Sequence, residues 1–210
     1  MKCFARPHLA SSLAALGVLP SRDIFAELAD AYAAPDRHYH TARHVDACLE
    51  EFQHYRSLAE HPAEIQIALW FHDAIYDTRA SDNEEESARW ARDVVVSSGG
   101  PPTSASRIYD LILATRHDDS SIRGDAALVA DIDLTILGAP PERFQAYDRQ
   151  IRQEYAWVPE PDFRETRLRI LDGFLARPAI YLTGPFRRKY EVQARQNLES
   201  AVAELRENSY

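Results

Sequence analysis

The sequence predicts an all-α protein, and three observations lead to this fold class. Apolar residues recur at helical spacing, as in Val45, Cys48, Leu49 and Phe52, which repeat at i, i+3, i+4 and i+7. Proline and glycine clusters, such as "GGPP" at 99–102, break the chain at intervals that suit helices. The only β-branched run, "DVVV", ends a segment rich in Glu, Ala and Arg. We therefore expect about eight to ten helices and no sheet.

The individual helices follow from local patterns, taken in chain order. The stripe from Val45 to Phe52 predicts a helix that begins near Thr41. The apolar run from Ile65 to Phe71 predicts a buried segment. The acidic "DNEEESA" predicts a helix capped by Asp82 or Asn83, with glutamates at the positive end of the helix dipole. Later helices are indicated by the stripes Ile108, Leu111, Ile112 and Thr115, then Phe144, Tyr147 and Ile151, then Leu168, Leu171 and Leu175, and finally Leu198, Val202 and Leu205.

Composition limits the classes of function. The 210 residues, 45% of them hydrophobic, are enough for one sizeable core without an internal repeat or a dividing linker. A formal charge of −9 disfavours broad electrostatic binding of nucleic acid or anionic membrane, so a bound phosphate needs a local cation. Two cysteines cannot form a disulfide framework, which fits a reduced cytoplasmic setting, and no apolar run is long enough to span a membrane.

Histidine and aspartate side chains mark the candidate site. His72 and Asp73 directly follow the apolar run, and burying two such polar groups is costly unless they have partners. His40 and His44 lie four residues apart and share a face if the helix already runs from Thr41. A single histidine there is more often a hydrogen-bonded core residue, but two of them and a His-Asp pair favour a metal site.

Two further carboxylates lie in the aliphatic segment "VADIDLTILGA". Asp131 and Asp133 alternate there with valine, isoleucine and leucine, a setting in which a charged carboxylate needs a cation or several donors. For either residue alone, a helix cap or an ion pair with arginine is about as good an interpretation as a metal ligand. The ordered set of a histidine, a His-Asp pair and a distant aspartate is more specific than any of its parts.

This ordered set resembles the HD superfamily of metal-dependent phosphohydrolases, whose pattern is H…HD…D. The motifs "RHYHTARH", "FHDAIYD", "DNEEESA", "DIDLTILGA" and "EVQARQNL" resemble one branch of uncharacterised bacterial proteins, over most of residues 25 to 200. The resemblance implies a single domain over 1–210 with the all-α, phosphodiesterase-like HD bundle. It implies that His44, His72, Asp73 and Asp133 hold a divalent metal ion. Many members have "AD" and a basic residue at the last ligand, so Asp131 competes with Asp133, which we favour.

The resemblance also implies a mechanism. "YHTARHVD" is similar to the phosphodiesterase segment in which a first histidine faces the leaving group, a role that would fall to His40, and Asp73 would act in catalysis as well as in metal binding. The expected reaction is hydrolysis of a small, nucleotide-like phosphomonoester or phosphodiester by metal-activated water. The mixed nitrogen and oxygen ligands would accept Mn, Fe, Co, Ni, Mg or Zn.

Other assignments are weaker. Arg116, His117 and Lys189 are candidate phosphate-binding residues, and His117 is also a candidate second-metal ligand or a solvated histidine at a helix end. The carboxylates Asp77, Glu84 and Glu85 have two interpretations: they orient water or the ligand histidines, or they cap helices. Two alternative functions stay open: an HD-fold di-iron oxygenase, and a non-catalytic metal-binding module. The sequence leaves the oligomeric state open.

Overall fold

The computed structural model describes residues 3–207, and over that range it contains helices and no strand, which confirms the all-α prediction. The ten α-helices also agree with the expected number, whereas the HD-type arrangement stays a prediction. Among the described residues no helix is both long and apolar enough to cross a membrane. The helices are α1 (Arg6–Ala14), α2 (Ile24–Ala31), α3 (Ala42–Tyr55), α4 (Pro62–Phe71), α5 (Asn83–Ser97), α6 (Pro102–Leu113), α7 (Gly124–Asp133), α8 (Pro141–Glu154), α9 (Glu160–Leu175) and α10 (Gly184–Glu207).

The chain divides into two compact units, Met1–Ile132 and Asp133–Tyr210. The boundary falls at the end of α7, so that helix belongs to the first unit except for its last residue, Asp133. The prediction of one domain over 1–210 stays a prediction.

Helix α4 is the centre of the first unit. It begins with Pro62 at its first position, where a missing N–H costs nothing, and from Ile65 to Phe71 all but one of its residues are buried. A helix that is apolar on every side must be surrounded, and α4 packs against α1, α3, α5 and α6. The end of α4 therefore delivers the next residues, His72 and Asp73, to the edge of the core.

Helix α3 supplies a second buried face. Its N-cap is Thr41, whose hydroxyl accepts a hydrogen bond from the Arg43 amide. The stripe predicted from the sequence, Val45 to Phe52, lies in the core, and His44 is buried beside it. The opposite face carries His54, which is exposed.

Helix α5 begins with the acidic residues that the sequence predicted. Glu84, Glu85 and Glu86 occupy its first turn, as expected for the positive end of the dipole. Asp82 is in the N-cap position, but its side chain accepts no capping hydrogen bond. The Asn83 side chain instead closes the preceding loop, since it accepts from the amide of Asp77 and donates to its carbonyl oxygen.

The second unit is built from α8, α9, α10 and a 3-10 helix at Leu134–Gly138. The motif "EVQARQNL" holds it together. Glu191 accepts hydrogen bonds from the amides of Ile180 and Tyr181 and from Arg195. Arg195 in turn donates to the carbonyl oxygens of Leu175, the last residue of α9, and of Arg177 just after it.

Candidate metal centre

The side chains of the predicted site come from two helices and the turn that follows one of them. His44 is in the first turn of α3, and His72 caps the C-terminus of α4. Asp73 lies in the turn after α4, so the two side chains of the pair are not presented by consecutive positions of one helix. The turn frees Asp73 from the 100° offset that a continuing helix would impose.

Three ligand atoms of these residues converge. The Nε2 atoms of His44 and His72 are 3.0 Å apart. Asp73 Oδ2 lies 3.0 Å from His72 Nε2 and 3.4 Å from His44 Nε2. Ligands bound about 2.0–2.2 Å from one ion are separated by about 3.0 Å at right angles and about 3.4 Å at tetrahedral angles. The triangle therefore has the dimensions of one face of a coordination shell.

The tautomer of His72 strengthens this interpretation. Its Nδ1 atom lies 3.0 Å from the carbonyl oxygen of Leu69, which can only accept, so Nδ1 carries a proton. In the neutral ring Nε2 then presents a lone pair toward Asp73 Oδ2, which is also an acceptor. Two acceptors at 3.0 Å repel each other unless a positive charge lies between them, and that charge is either a second proton on His72 or a cation.

Asp73 favours the cation. Its Oδ2 atom is shielded from solvent and accepts no hydrogen bond. Burial alone would raise the pKa of the Asp73 carboxyl, but the imidazoles of His72, His40 and His44 outweigh it and hold that pKa well below its usual value. Asp73 is therefore an ionised carboxylate with a buried oxygen that lacks a donor, as a metal ligand would be.

Asp133 lies near the same two histidines, in a set that differs from the triangle. One of its carboxylate oxygens and ligand atoms of His44, Cys48 and His72 are all within 4.8 Å of one another, and this set, which does not include Asp73, could hold a metal ion. Asp131, the competing candidate, is fully buried and outside that set.

Cys48 is the member of the set that the sequence did not assign to the site. Its Sγ atom is 3.7 Å from His44 Nδ1 and 3.8 Å from His44 Nε2. Being nearly equidistant from both nitrogens, the sulfur lies off the lone-pair direction of Nε2. An ion on that lone pair would be roughly 3 Å or more from Sγ, well beyond the usual zinc–sulfur bond of about 2.3 Å. In this conformation Cys48 packs on the ligand ring and does not complete the ligand set.

His40 lies beside this group but outside helix α3. Because α3 begins only after Thr41, the helical i, i+4 argument does not apply to His40 and His44, although their ring centroids are 5.9 Å apart. The His40 ring packs on Tyr76 at 4.3 Å and is partly exposed. This position leaves it accessible to a substrate.

Sequence reasoning missed Arg37, which fixes the same region. This buried arginine donates to the carbonyl oxygens of His40, Asp73 and Ala74, at 3.0, 2.6 and 2.9 Å. The signal was present, because Arg37 opens the motif "RHYHTARH". Composition alone could not distinguish it from a solvated arginine.

The three predicted phosphate-binding residues lie in three different settings. Arg116 donates to Glu85 at 3.3 Å, so a phosphate would compete with a carboxylate there. His117 ends the 3-10 helix Ala114–Arg116 with a φ of 56°, in the left-handed region. Lys189 is exposed on α10 of the second unit, with its Nζ over the Tyr190 ring. Their role in substrate binding stays a prediction.

The turn after the His-Asp pair gives the other acidic candidates local partners. Asp77 accepts a hydrogen bond from the amide of Arg79, and Glu85 pairs with Arg89 as well as Arg116. These contacts favour the structural interpretation of both carboxylates.

Comparisons with known protein families, with curated proteins and with solved structures found no significant match to this chain. The resemblance to the HD superfamily therefore stays a prediction from the sequence motifs.

Proposed function

We propose that this chain is a metal-dependent phosphohydrolase that acts on a small, nucleotide-like phosphomonoester or phosphodiester in the cytoplasm. The observation that carries the proposal is the convergence of two imidazole nitrogens on a buried carboxylate oxygen that accepts no hydrogen bond. The formal charge of −9 agrees with a small substrate, since it disfavours the broad electrostatic attraction on which binding of extended nucleic acid depends.

His44, His72, Asp73 and Asp133 would hold the ion. A bound divalent cation would lower the pKa of coordinated water from about 15.7 toward 7 and offset the charge that develops on the phosphoryl group. The chain's own contribution is to fix the ligands. The carbonyl oxygen of Leu69 accepts a hydrogen bond from Nδ1–H of His72, and this bond directs Nε2 toward the site. The core around α4 buries the ring and prevents it from turning away.

His40 is the proton donor in this proposal. Its ring packs on Tyr76, is partly exposed, and neighbours His44 without being one of the converging ligand atoms. A protonated imidazole so placed gives its proton to the departing oxygen of the substrate, a contribution of about 10²- to 10⁴-fold in rate. Before an ion binds, Asp73 already carries its negative charge, because the imidazoles of His72, His40 and His44 outweigh burial and hold its pKa low.

The test combines metal analysis with hydrolysis assays. Wild-type protein is loaded in turn with Mn, Fe, Co, Ni, Mg and Zn, then assayed on nucleoside mono-, di- and cyclic phosphates. His72→Ala and Asp73→Asn should each lose bound metal and hydrolysis together. His54→Ala is the matched control, because His54 is an exposed histidine on α3 and should change neither quantity. Undiminished hydrolysis in both site variants would refute the proposal.

A non-catalytic metal-binding module is the second candidate, and Cys48 is the observation that favours it. If the Cys48 side chain rotated toward the ion, His44, Cys48, His72 and Asp133 would form a closed set of four, typical of structural zinc. Tight zinc binding with no turnover on the phosphate panel would support this candidate. The di-iron oxygenase alternative predicts instead two irons per chain, with the optical bands of iron.

A further inference from the structure

Arg37 is a buried arginine at the start of the segment that carries His40 and His44. Only 8% of its surface is exposed. Its Nη1 donates to the carbonyl oxygens of His40 and Asp73, and its Nη2 donates to that of Ala74. The Arg37 guanidinium therefore joins the irregular segment before α3 to the turn after α4.

The partners of Arg37 indicate a role other than charge pairing. Its hydrogen bonds go to neutral carbonyl oxygens, and its guanidinium lies over the rings of Tyr32 and Tyr76, at 5.1 and 5.4 Å. Its Nε atom is buried without an acceptor. Burying a cation in this way is costly, so a simple loop closure would be served better by a neutral side chain.

The two segments that Arg37 joins carry different parts of the proposed chemistry. One contains His40, the proton donor, and the other contains the ligand Asp73. Tyr76 belongs to the second segment, yet its ring packs both on His40 and beneath the Arg37 guanidinium. The position of His40 relative to Asp73 therefore depends on Arg37 at two points, through the carbonyl oxygens and through the Tyr76 ring.

We propose that Arg37 is a positioning residue that fixes the proton donor His40 relative to the metal-binding carboxylate of Asp73. The inference rests on the proposed function and adds a residue to it. Lysine cannot replace this arginine, because a single ammonium group lacks the planar fork that reaches carbonyl oxygens on two segments at once.

The first test separates positioning from general stability by the choice of leaving group. p-Nitrophenolate departs from p-nitrophenyl phosphate without a proton, whereas the 5′-oxygen of a nucleoside needs one when it departs from a nucleoside 5′-phosphate. Arg37→Lys and Arg37→Gln should lower kcat for the nucleotide about 10²-fold and for p-nitrophenyl phosphate by less than about tenfold. Arg107→Lys is the matched control, since Arg107 also joins two helices of the first unit through Glu64, and it should affect both esters equally.

A double-mutant cycle with His40 sharpens the test. If Arg37 acts through His40, then adding Arg37→Lys to His40→Ala should cause little further loss on the nucleotide. Losses that multiply in the double variant, or equal losses on the two esters, would overturn the proposal.

Hydrogen exchange gives a measurement that needs no turnover. In the protein loaded with Mn²⁺, both Arg37 variants should lose amide protection in residues 38–44 and 72–76 together, by about tenfold or more, while Arg107→Lys changes neither segment. Unchanged exchange in both segments would overturn the positioning role. If the wild type hydrolyses neither ester, the proposed function fails, and hydrogen exchange alone decides whether Arg37 joins the two segments.

Discussion

The two units each contain a group of buried or partly buried polar side chains, and the groups differ in how completely they are paired. In the second unit, Glu191 accepts from two amides and Arg195, and Asn197 donates to the carbonyl oxygens of Leu137 and Ala139. In the first unit, Asp73 Oδ2 accepts no hydrogen bond and lies 3.0 Å from His72 Nε2. A fully paired network stabilises a fold, whereas an incompletely paired one indicates a site that something else completes.

The largest expected effect removes a ligand from the incomplete group. His72→Ala should lower metal affinity by more than about 100-fold, because loss of even an outer partner of a ligand costs about 10- to 100-fold. Hydrolysis should fall with it. Titration of metal into the apo-protein by calorimetry measures the affinity. An unchanged dissociation constant would show that the incompletely paired group of the first unit does not bind the metal.

Metal binding should also stabilise the protein. At a free metal concentration 100 times the dissociation constant, the free energy of unfolding should rise by about 2.7 kcal/mol. Asp73→Asn should abolish this gain, and Glu191→Gln should retain it, since Glu191 belongs to the group that is already paired. Thermal unfolding with and without Mn²⁺ or Zn²⁺ gives the comparison. If both variants lost the stabilisation by metal equally, the prediction that only the first-unit group binds the ion would be contradicted.

A change in the paired group should affect stability alone. Asn197→Ala leaves the carbonyl oxygens of Leu137 and Ala139 without their donor and should lower the free energy of unfolding by about 1–3 kcal/mol. Metal content should stay at the wild-type value. Denaturant unfolding and metal quantification on the same preparation test both statements, and a loss of metal from this variant would show that the group is part of the site.

The smallest expected effect concerns the start of α3. Thr41→Ala removes a capping hydrogen bond that is long, at 3.4 Å, so the stability loss should be about 0.5 kcal/mol, at the low end for N-caps. Thr41→Ser should restore most of it. Chemical denaturation resolves the difference, and a loss above about 2 kcal/mol would show that Thr41 has a further role in the site.

Periodicity predicted the fold class because burial of an apolar face at 3.6-residue spacing is a local property. It placed Val45, Cys48, Leu49 and Phe52 in the core, where the structure has them. It also indicated a helix that begins near Thr41, which is the N-cap of α3. Periodicity does not determine the residue at which a helix ends, so it left open whether Asp73, two residues after the last residue of α4, is helical.

The sequence assigned the candidate ligands His44, His72, Asp73 and Asp133 from their ordered occurrence, and their role as ligands stays a prediction. The structure places Asp73 Oδ2 near both histidines, and Asp133 near them in a set with Cys48. Arg37 was missed because its partners are backbone carbonyl oxygens 3 to 37 residues away, which no spacing rule identifies. The assignment of Arg116, His117 and Lys189 to phosphate binding stays a prediction, because no spacing rule identifies side chains that come to a pocket from distant segments.

The helix start at Thr41 gives the two histidines of one motif different backbones. His44 is held by the regular hydrogen bonding of α3, while His40 lies in an irregular segment that can change without shortening the helix. Under the proposed function, substitutions around residue 40 would change which leaving group is protonated, while the metal ligand His44 stays fixed by α3. New substrates would then require changes only in the few residues that precede the Thr41 N-cap.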